Sequence, residues 1–117
     1  MSIVEHANQP WVAGSAGRGS RMQFIVDPAG AVSGISLLNQ ECDPGVGAPS
    51  HTHDFEEILT IDAGIAEVWI ADARHQVGPG TSVFIPRGAV HGFVNVGSTA
   101  LRLHGAIASL ELRSTRV

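Results

Sequence analysis

Residues 45–64 read G-V-G-A-P-S-H-T-H-D-F-E-E-I-L-T-I-D-A-G, and residues 80–95 read G-T-S-V-F-I-P-R-G-A-V-H-G-F-V-N. Together they carry three imidazoles, His51, His53 and His91, and one carboxylate singled out by its spacing, Glu57. Histidines two apart project from the same side of an extended strand, whereas on a helix they would be splayed by about 200°. His51 and His53 therefore predict strand. Glu57 shares their odd parity and leads into Leu59 and Ile61, which assigns it to the inward face and Glu56 to the outward one. A straight strand would carry Glu57 about 13 Å past His53, at about 3.3 Å per residue. Ligands about 2.0 to 2.2 Å from a single ion cannot lie so far apart. The chain is thus expected to bend at Asp54 and Phe55, returning Glu57 to the histidines on an adjoining strand. His91 must arrive from a third segment, after the Pro86–Gly88 corner. Three imidazoles converging with a carboxylate satisfy one another poorly without a shared cation, so a metal site is expected here.

The same residues carry a family resemblance. Gly45, His51, His53, Glu57 and Gly64 fill every specified place of the first cupin signature, and Gly80, Pro86, Gly88, His91 and Asn95 fill the second. An H-x-H alone is weak evidence, but two long patterns in the right order, separated only by Ile65 to Pro79, are specific. The chain resembles the small, single-domain, metal-binding cupins. That resemblance implies an all-β fold, an antiparallel jelly-roll barrel of six to eight strands, with one divalent ion in its lumen held by His51, His53, Glu57 and His91. The signatures span about half of the chain, and the flanks fit as completing strands.

Composition agrees with a chain that folds around one core. At 117 residues, 44% hydrophobic and 15% charged, it is of single-domain size, 1–117, and neither disordered nor membrane-spanning in character. A net charge of −4 and a pI near 5.8 oppose nucleic-acid binding, which leaves a basic footprint. The start, M-S-I-V-E-H-A-N-Q-P-W, lacks the basic and apolar blocks of a secretory signal, and a cytoplasmic location is expected. Cys42 is the sole cysteine, which excludes an internal disulfide and a thiolate cluster. Its acidic neighbours Glu41 and Asp43 do not favour a reactive thiolate, so it reads as a small packed residue near a strand end.

Along the chain, residues 1–19 show no clear period and read as an irregular arm, with 13–20 a flexible loop. Gly14 and Gly19 have P-loop spacing, but the Walker lysine is missing. Residues 20–26 alternate, with Met22, Phe24 and Val26 on one face. Residues 31–41 read as a second strand bent at Gly34. Ile58–Ile61 continues from Glu57, Asp62-Ala63-Gly64 reads as a hairpin turn, and 65–71 is expected to pair back. Further strands are expected over 81–85, 91–96 and 101–108, with no convincing helix. Trp69 and Ile65 fall on the face opposite Val68 and Ile70, and the tail from Leu110 to Leu112 is apolar. A homodimer is therefore expected, with Trp69 in its interface, as is common among cupins. His6 and His75 read as solvated, and His104 as pointing away from the lumen.

Three nitrogens and one oxygen leave open positions on a five- or six-coordinate ion, which favours Mn, Fe or Ni while keeping Zn possible. Such a centre can polarise a carbonyl, acidify water or, if redox-active, bring dioxygen to a chelated substrate. Glu57 is the candidate catalytic base. Leu59, Ile61 and Phe93 are expected to form an apolar lumen. Phe93 and Arg87 are the candidate substrate contacts, Arg87 as an anchor for a carboxylate or phosphate and Glu41 a weaker charged candidate near the mouth. The expected function is that of an enzyme on a small oxygenated substrate, with dioxygenase chemistry ahead of isomerase, lyase or decarboxylase chemistry on a sugar acid or keto acid. A binding module that captures a small molecule without turnover is the alternative. No nucleic-acid or membrane partner is expected.

Overall fold

A computed structural model describes residues 1–117. The chain forms eleven strands, β1 Val12–Gly14, β2 Gly17–Ile25, β3 Ser36–Cys42, β4 Gly47–Thr52, β5 Glu57–Ala63, β6 Ala66–Ile70, β7 Ala73–Val77, β8 Ser82–Ile85, β9 His91–Asn95, β10 Leu101–Ile107 and β11 Thr115–Arg116. The only helix is a single 3-10 turn at His6–Asn8. The strands build a six-stranded sheet, ordered β1-β2-β3-β10-β5-β8, and a five-stranded sheet, ordered β11-β4-β9-β6-β7. From β3 onward every connection except the β6–β7 hairpin passes from one sheet to the other, which is the winding of a jelly roll.

The period-two pattern decides which faces meet. In β10, Leu101, Leu103 and Ile107 are buried while Arg102 is exposed, and in β5 the buried residues are Glu57, Leu59 and Ile61. Leu59, Ile61, Leu101 and Leu103 meet Ala66, Val68 and Phe93 of the facing sheet in one apolar core. The histidines converge against this core, and Ala48, Leu59 and Phe93 belong both to it and to the cavity that the histidines line. Gly64 makes the crossing from β5 to β6 possible: its φ is 88°, and an added Cβ would lie 3.0 Å from the Ala100 carbonyl oxygen and 3.1 Å from Leu101 Cα.

Several expectations are corrected. The two sheets face each other without a hydrogen-bonded ladder joining their edges, so the jelly roll is a sandwich and not a closed barrel. Asp62-Ala63-Gly64 is no hairpin turn, since β6 leaves β5 to pair with β9 and β7 in the other sheet. Residues 13–20 are a strand pair rather than a loop, with Gly17 at φ 72° closing the turn. The second strand starts only at Ser36, so Gly34 lies before it and bends nothing. His75 lies in β7, not in a turn, opposite Val68. The N-terminal arm also has a definite seat: the buried Gln23 amide donates to the carbonyls of His6 (2.7 Å) and Gln9 (3.1 Å).

Trp69 lies on the outer face of the five-stranded sheet. Its Nε1–H donates to Ser50 Oγ at 2.8 Å, and the Arg74 guanidinium sits 4.8 Å from the ring centroid. No helix is long and apolar enough to cross a membrane.

Candidate metal centre

The site is assembled by three neighbouring segments at one end of the sandwich. β4 supplies His51 and its continuation supplies His53; β9, paired to β4 with His51 opposite His91, supplies the third imidazole. Between Thr52 and Glu57 the chain leaves the five-stranded sheet and enters the six-stranded one, which brings the carboxylate across the cavity to face the rings. The bend inferred at Asp54 and Phe55 is this crossing. Phe55 is buried beneath it and stacks on the His53 ring, with centroids 4.4 Å apart and planes 17° from parallel.

All three histidines are prepared in the same way. His51 Nδ1–H donates to the Pro49 carbonyl at 2.7 Å, His53 Nδ1–H to the Arg113 carbonyl at 2.6 Å, and His91 Nδ1–H to the Ala89 carbonyl at 2.9 Å. A carbonyl has no proton to give, so each Nδ1 must carry one, and each neutral ring turns an unprotonated Nε2 toward the centre. Those Nε2 atoms have no good protein partner. His51 Nε2 and His53 Nε2 face each other at 3.1 Å as two acceptors, and the buried His91 Nε2 has no hydrogen-bond partner. Glu57 Oε1 lies 3.4 Å from His91 Nε2 and 3.7 Å from His53 Nε2, also as an acceptor.

Three imidazole lone pairs converging beside a carboxylate repel unless a cation lies among them. Two donors each about 2.1 Å from one ion stand about 3.0 Å apart at a right angle and about 3.4 Å apart at a tetrahedral angle, so the 3.1 Å between the His51 and His53 nitrogens and the 3.4 Å from Glu57 to His91 fit shared ligation, while the 3.7 Å from Glu57 to His53 is longer than either. The three histidines are positioned to hold a metal, their ligating atoms lying within 4.8 Å of one another. His53, Glu57 and His91 are all buried. Burial, foremost, pushes the His51 imidazolium below the usual histidine range, assisted by the neighbouring His91 and His53 and opposed by the Pro49 carbonyl. A ring kept neutral is a ring able to ligate.

Beyond the ligands opens a cavity of about 230 Å³. Met22, Leu38, Ala48, Leu59, Phe93 and Leu112 form its apolar wall, and Gln40, Ser15 and Ser114 add uncharged polar groups. Phe93 lines the cavity. Ile61 is buried in the core behind the cavity rather than lining it. Arg87 is exposed and does not line the cavity, and Glu41 points to the outer face of its sheet, where it pairs with Arg21 at 2.7 Å and Arg102 at 3.4 Å. His104 also faces outward, bonded to Asp62 at 2.8 Å. Cys42 is fully buried.

Sequence reasoning missed the contribution of the two flanks. Ala13, Gly14 and Ser15 from the β1–β2 turn and Leu112 and Ser114 from the closing segment frame the cavity, and Arg113 supplies the carbonyl that orients His53. Leu112 had a signal in its apolar tail. The Arg113 contact had none, because a main-chain carbonyl is the same in every residue.

Comparison with known proteins agrees with this geometry. A family model described as Cupin domain matches residues 39–107. Protein SchB of Streptomyces halstedii is 33% identical over 89 residues, covering 74% of this chain; the chain spans 64% of that relative's length. Among solved structures, the polyketide cyclase RemF from Streptomyces resistomycificus superposes with a TM-score of 0.81 at 24% identity, covering 100% of this chain and 85% of that one. A recombinant oxalate oxidase in complex with glycolate superposes with a TM-score of 0.77 at 25% identity, over 90% of this chain and 59% of that one.

Proposed function

This chain belongs to the cupin family, and from that premise we propose that it is a metal-dependent enzyme acting on a compact, oxygenated and mostly apolar substrate through carbonyl chemistry. The carrying observation is the cavity wall. It offers metal donors at one end, apolar side chains around them, and no cationic side chain anywhere. All seven basic residues are arginines, and none of them lines the cavity. A small dicarboxylate or sugar acid would meet no arginine fork here, whereas a neutral ketone, a diketone or a phenol suits the wall.

His51, His53 and His91, with Glu57, would hold one divalent cation, Mn, Fe or Ni ahead of Zn by the donor set. When bound, it supplies Lewis acidity toward a substrate carbonyl. The chain's own part is positional and protic. Leu59, Phe93 and Leu38 pack against the substrate carbons and keep water away, and Gln40 offers an amide to a second oxygen. Glu57, buried and free of any short hydrogen bond, takes a proton on the carboxylate oxygen not committed to the cation, from the carbon next to the carbonyl, and returns it after the skeleton has rearranged. Isomerisation, by reprotonation at another carbon, and cyclisation, by attack of the enolate carbon on a second carbonyl whose oxygen then takes the proton, both follow from that step. The similarity to a polyketide cyclase over the whole chain supports this ordering, which sets carbonyl chemistry ahead of the dioxygenation first expected.

The deciding experiment incubates the protein, loaded separately with Mn, Fe, Ni and Zn, with diketones, oligoketides and phenols under an oxygen electrode and mass detection. Products of unchanged oxygen content without oxygen uptake are expected. Oxygen uptake in step with product would assign the chain to dioxygenases, and saturable binding of unchanged compound to ligand carriers. A homodimer is part of the same reading, now with the exposed Phe84 and Ile35 as better interface residues than Trp69, and sedimentation velocity measures it.

A further inference from the structure

We propose that the closing segment, residues 111–117, is a strap whose docking sets the affinity of the metal centre, with Arg113 as a positioning residue acting through its main-chain carbonyl. The proposal rests on the metal-binding reading above. Its first support is the 2.6 Å bond from His53 Nδ1–H to Arg113 O. The other two histidines are oriented by carbonyls two residues away in their own segments, Pro49 and Ala89, and so carry their orientation with them. His53 alone borrows its carbonyl from a segment sixty residues distant in sequence.

The second support is how lightly that segment is held. Of residues 111–117 only Leu112 is even half-buried, and the rest are exposed. β11 is two residues long, pairing Thr115 with Thr52 and Arg116 with His51, and Val117 N–H donates to the Ser50 carbonyl at 3.1 Å. The Arg113 guanidinium reaches both oxygens of Asp54 at 3.2 Å and Glu111 at 2.7 Å, all in exposed positions. Segments with few buried contacts open at low free-energy cost. When this one lifts, His53 loses the bond that fixes its tautomer and ring plane, and the cavity loses the wall formed by Leu112 and Ser114.

Orientation of His53 and docking of the strap are therefore one equilibrium. Whatever binds the oriented ring must pin the strap, and whatever pins the strap must favour that ligand by the same factor. Losing a carbonyl that orients a metal-bound histidine weakens metal binding by about 10- to 100-fold.

The test measures Mn²⁺ and Zn²⁺ dissociation constants, by competition with a chelator, for the intact chain, a chain ending at Leu110, Arg113→Ala and Arg113→Lys. Expected are a 10- to 100-fold loss for the truncated chain, a smaller loss for Arg113→Ala and recovery in Arg113→Lys. Melting temperatures without metal are expected to change little while the metal-induced rise shrinks. Amide exchange at 115–117 in the intact chain should slow on adding either ion. If the truncated chain does not fold, the Arg113 variants and the exchange measurement decide by themselves. Equal affinity in the intact and altered chains, or exchange indifferent to metal, overturns the strap alone; an intact chain that binds neither ion overturns the metal reading with it.

Discussion

The molecule contains two histidine–carboxylate encounters built from the same chemistry with opposite outcomes. On the outer face of the six-stranded sheet, His104 Nδ1 meets Asp62 at 2.8 and 3.0 Å, both side chains being close to half exposed. Between the sheets, Glu57 stands 3.4 Å from His91 and 3.7 Å from His53, with all three buried. The outer pair satisfies itself: the ring donates and the carboxylate accepts. The inner groups cannot do so, because each imidazole has already given its one proton to a backbone carbonyl. Residue type and proximity are shared by the two sites. What separates them is where the Nδ1 proton has been sent.

The largest effect should come from breaking that difference directly. His91→Ala removes one of the three converging nitrogens and should lower divalent-metal affinity by more than the roughly 10- to 100-fold that loss of a merely orienting partner costs. His104→Ala should leave metal content unchanged, and elemental analysis of both purified variants measures the contrast. A His104 variant that loses as much metal as the His91 variant would refute the assignment of the two sites. Next comes Glu57→Gln, which keeps the shape and removes the charge. Metal affinity should fall by at least about tenfold, and kcat by roughly 10² to 10⁴ if the carboxylate moves the proton. A variant with full turnover would reduce Glu57 to a spectator.

The inner site was legible in sequence to an unusual depth, for a physical reason. Period-two geometry places His51 and His53 together, ligand bond lengths forbid a straight path to Glu57, and the bend at Asp54 and Phe55 follows. Those inferences use constraints that act within a few residues. The outer pair and the strap depend on register between distant strands. Arg102 and His104 share a face of β10, but nothing local tells which carboxylate of β5 stands opposite. The same limit explains the misread turn at Gly64. A glycine with positive φ serves a hairpin and a crossing between sheets equally well, and the choice is made by β9 competing for β6. Arg87, read as an anchor from the variable place it fills within the second signature, is exposed and lies outside the cavity lining.

Acid should act on the inner site through His51. Burial holds the folded His51 pKa below its ordinary value of about 6.5. The unfolded chain therefore takes up a proton at a pH where the folded chain does not, so stability is complete above that ordinary value and is lost as pH falls toward the depressed one. Metal ligation deepens the loss, since protons compete for the same Nε2 atoms. The ion should leave over about pH 6 to 5, followed by metal content after rapid desalting and by melting temperature at each pH. Full occupancy at about pH 4.5 would contradict a histidine-held ion.

The smallest effect tests the self-sufficiency of the outer pair. Asp62→Asn removes the charge but keeps an acceptor for His104 Nδ1–H, in a setting where both side chains are close to half exposed. Solvent screening limits such pairs to about 0.2 to 1 kcal/mol, so the unfolding free energy from chemical denaturation should change by less than about 0.5 kcal/mol at neutral pH, and metal affinity should not move at all. A metal affinity that changed with Asp62 would mean that the two faces of β5 communicate. The alternation that places Asp62 outward and Leu59 and Ile61 inward would then not insulate them, and the contrast between a satisfied pair and an unsatisfied cluster would have to be redrawn as one network.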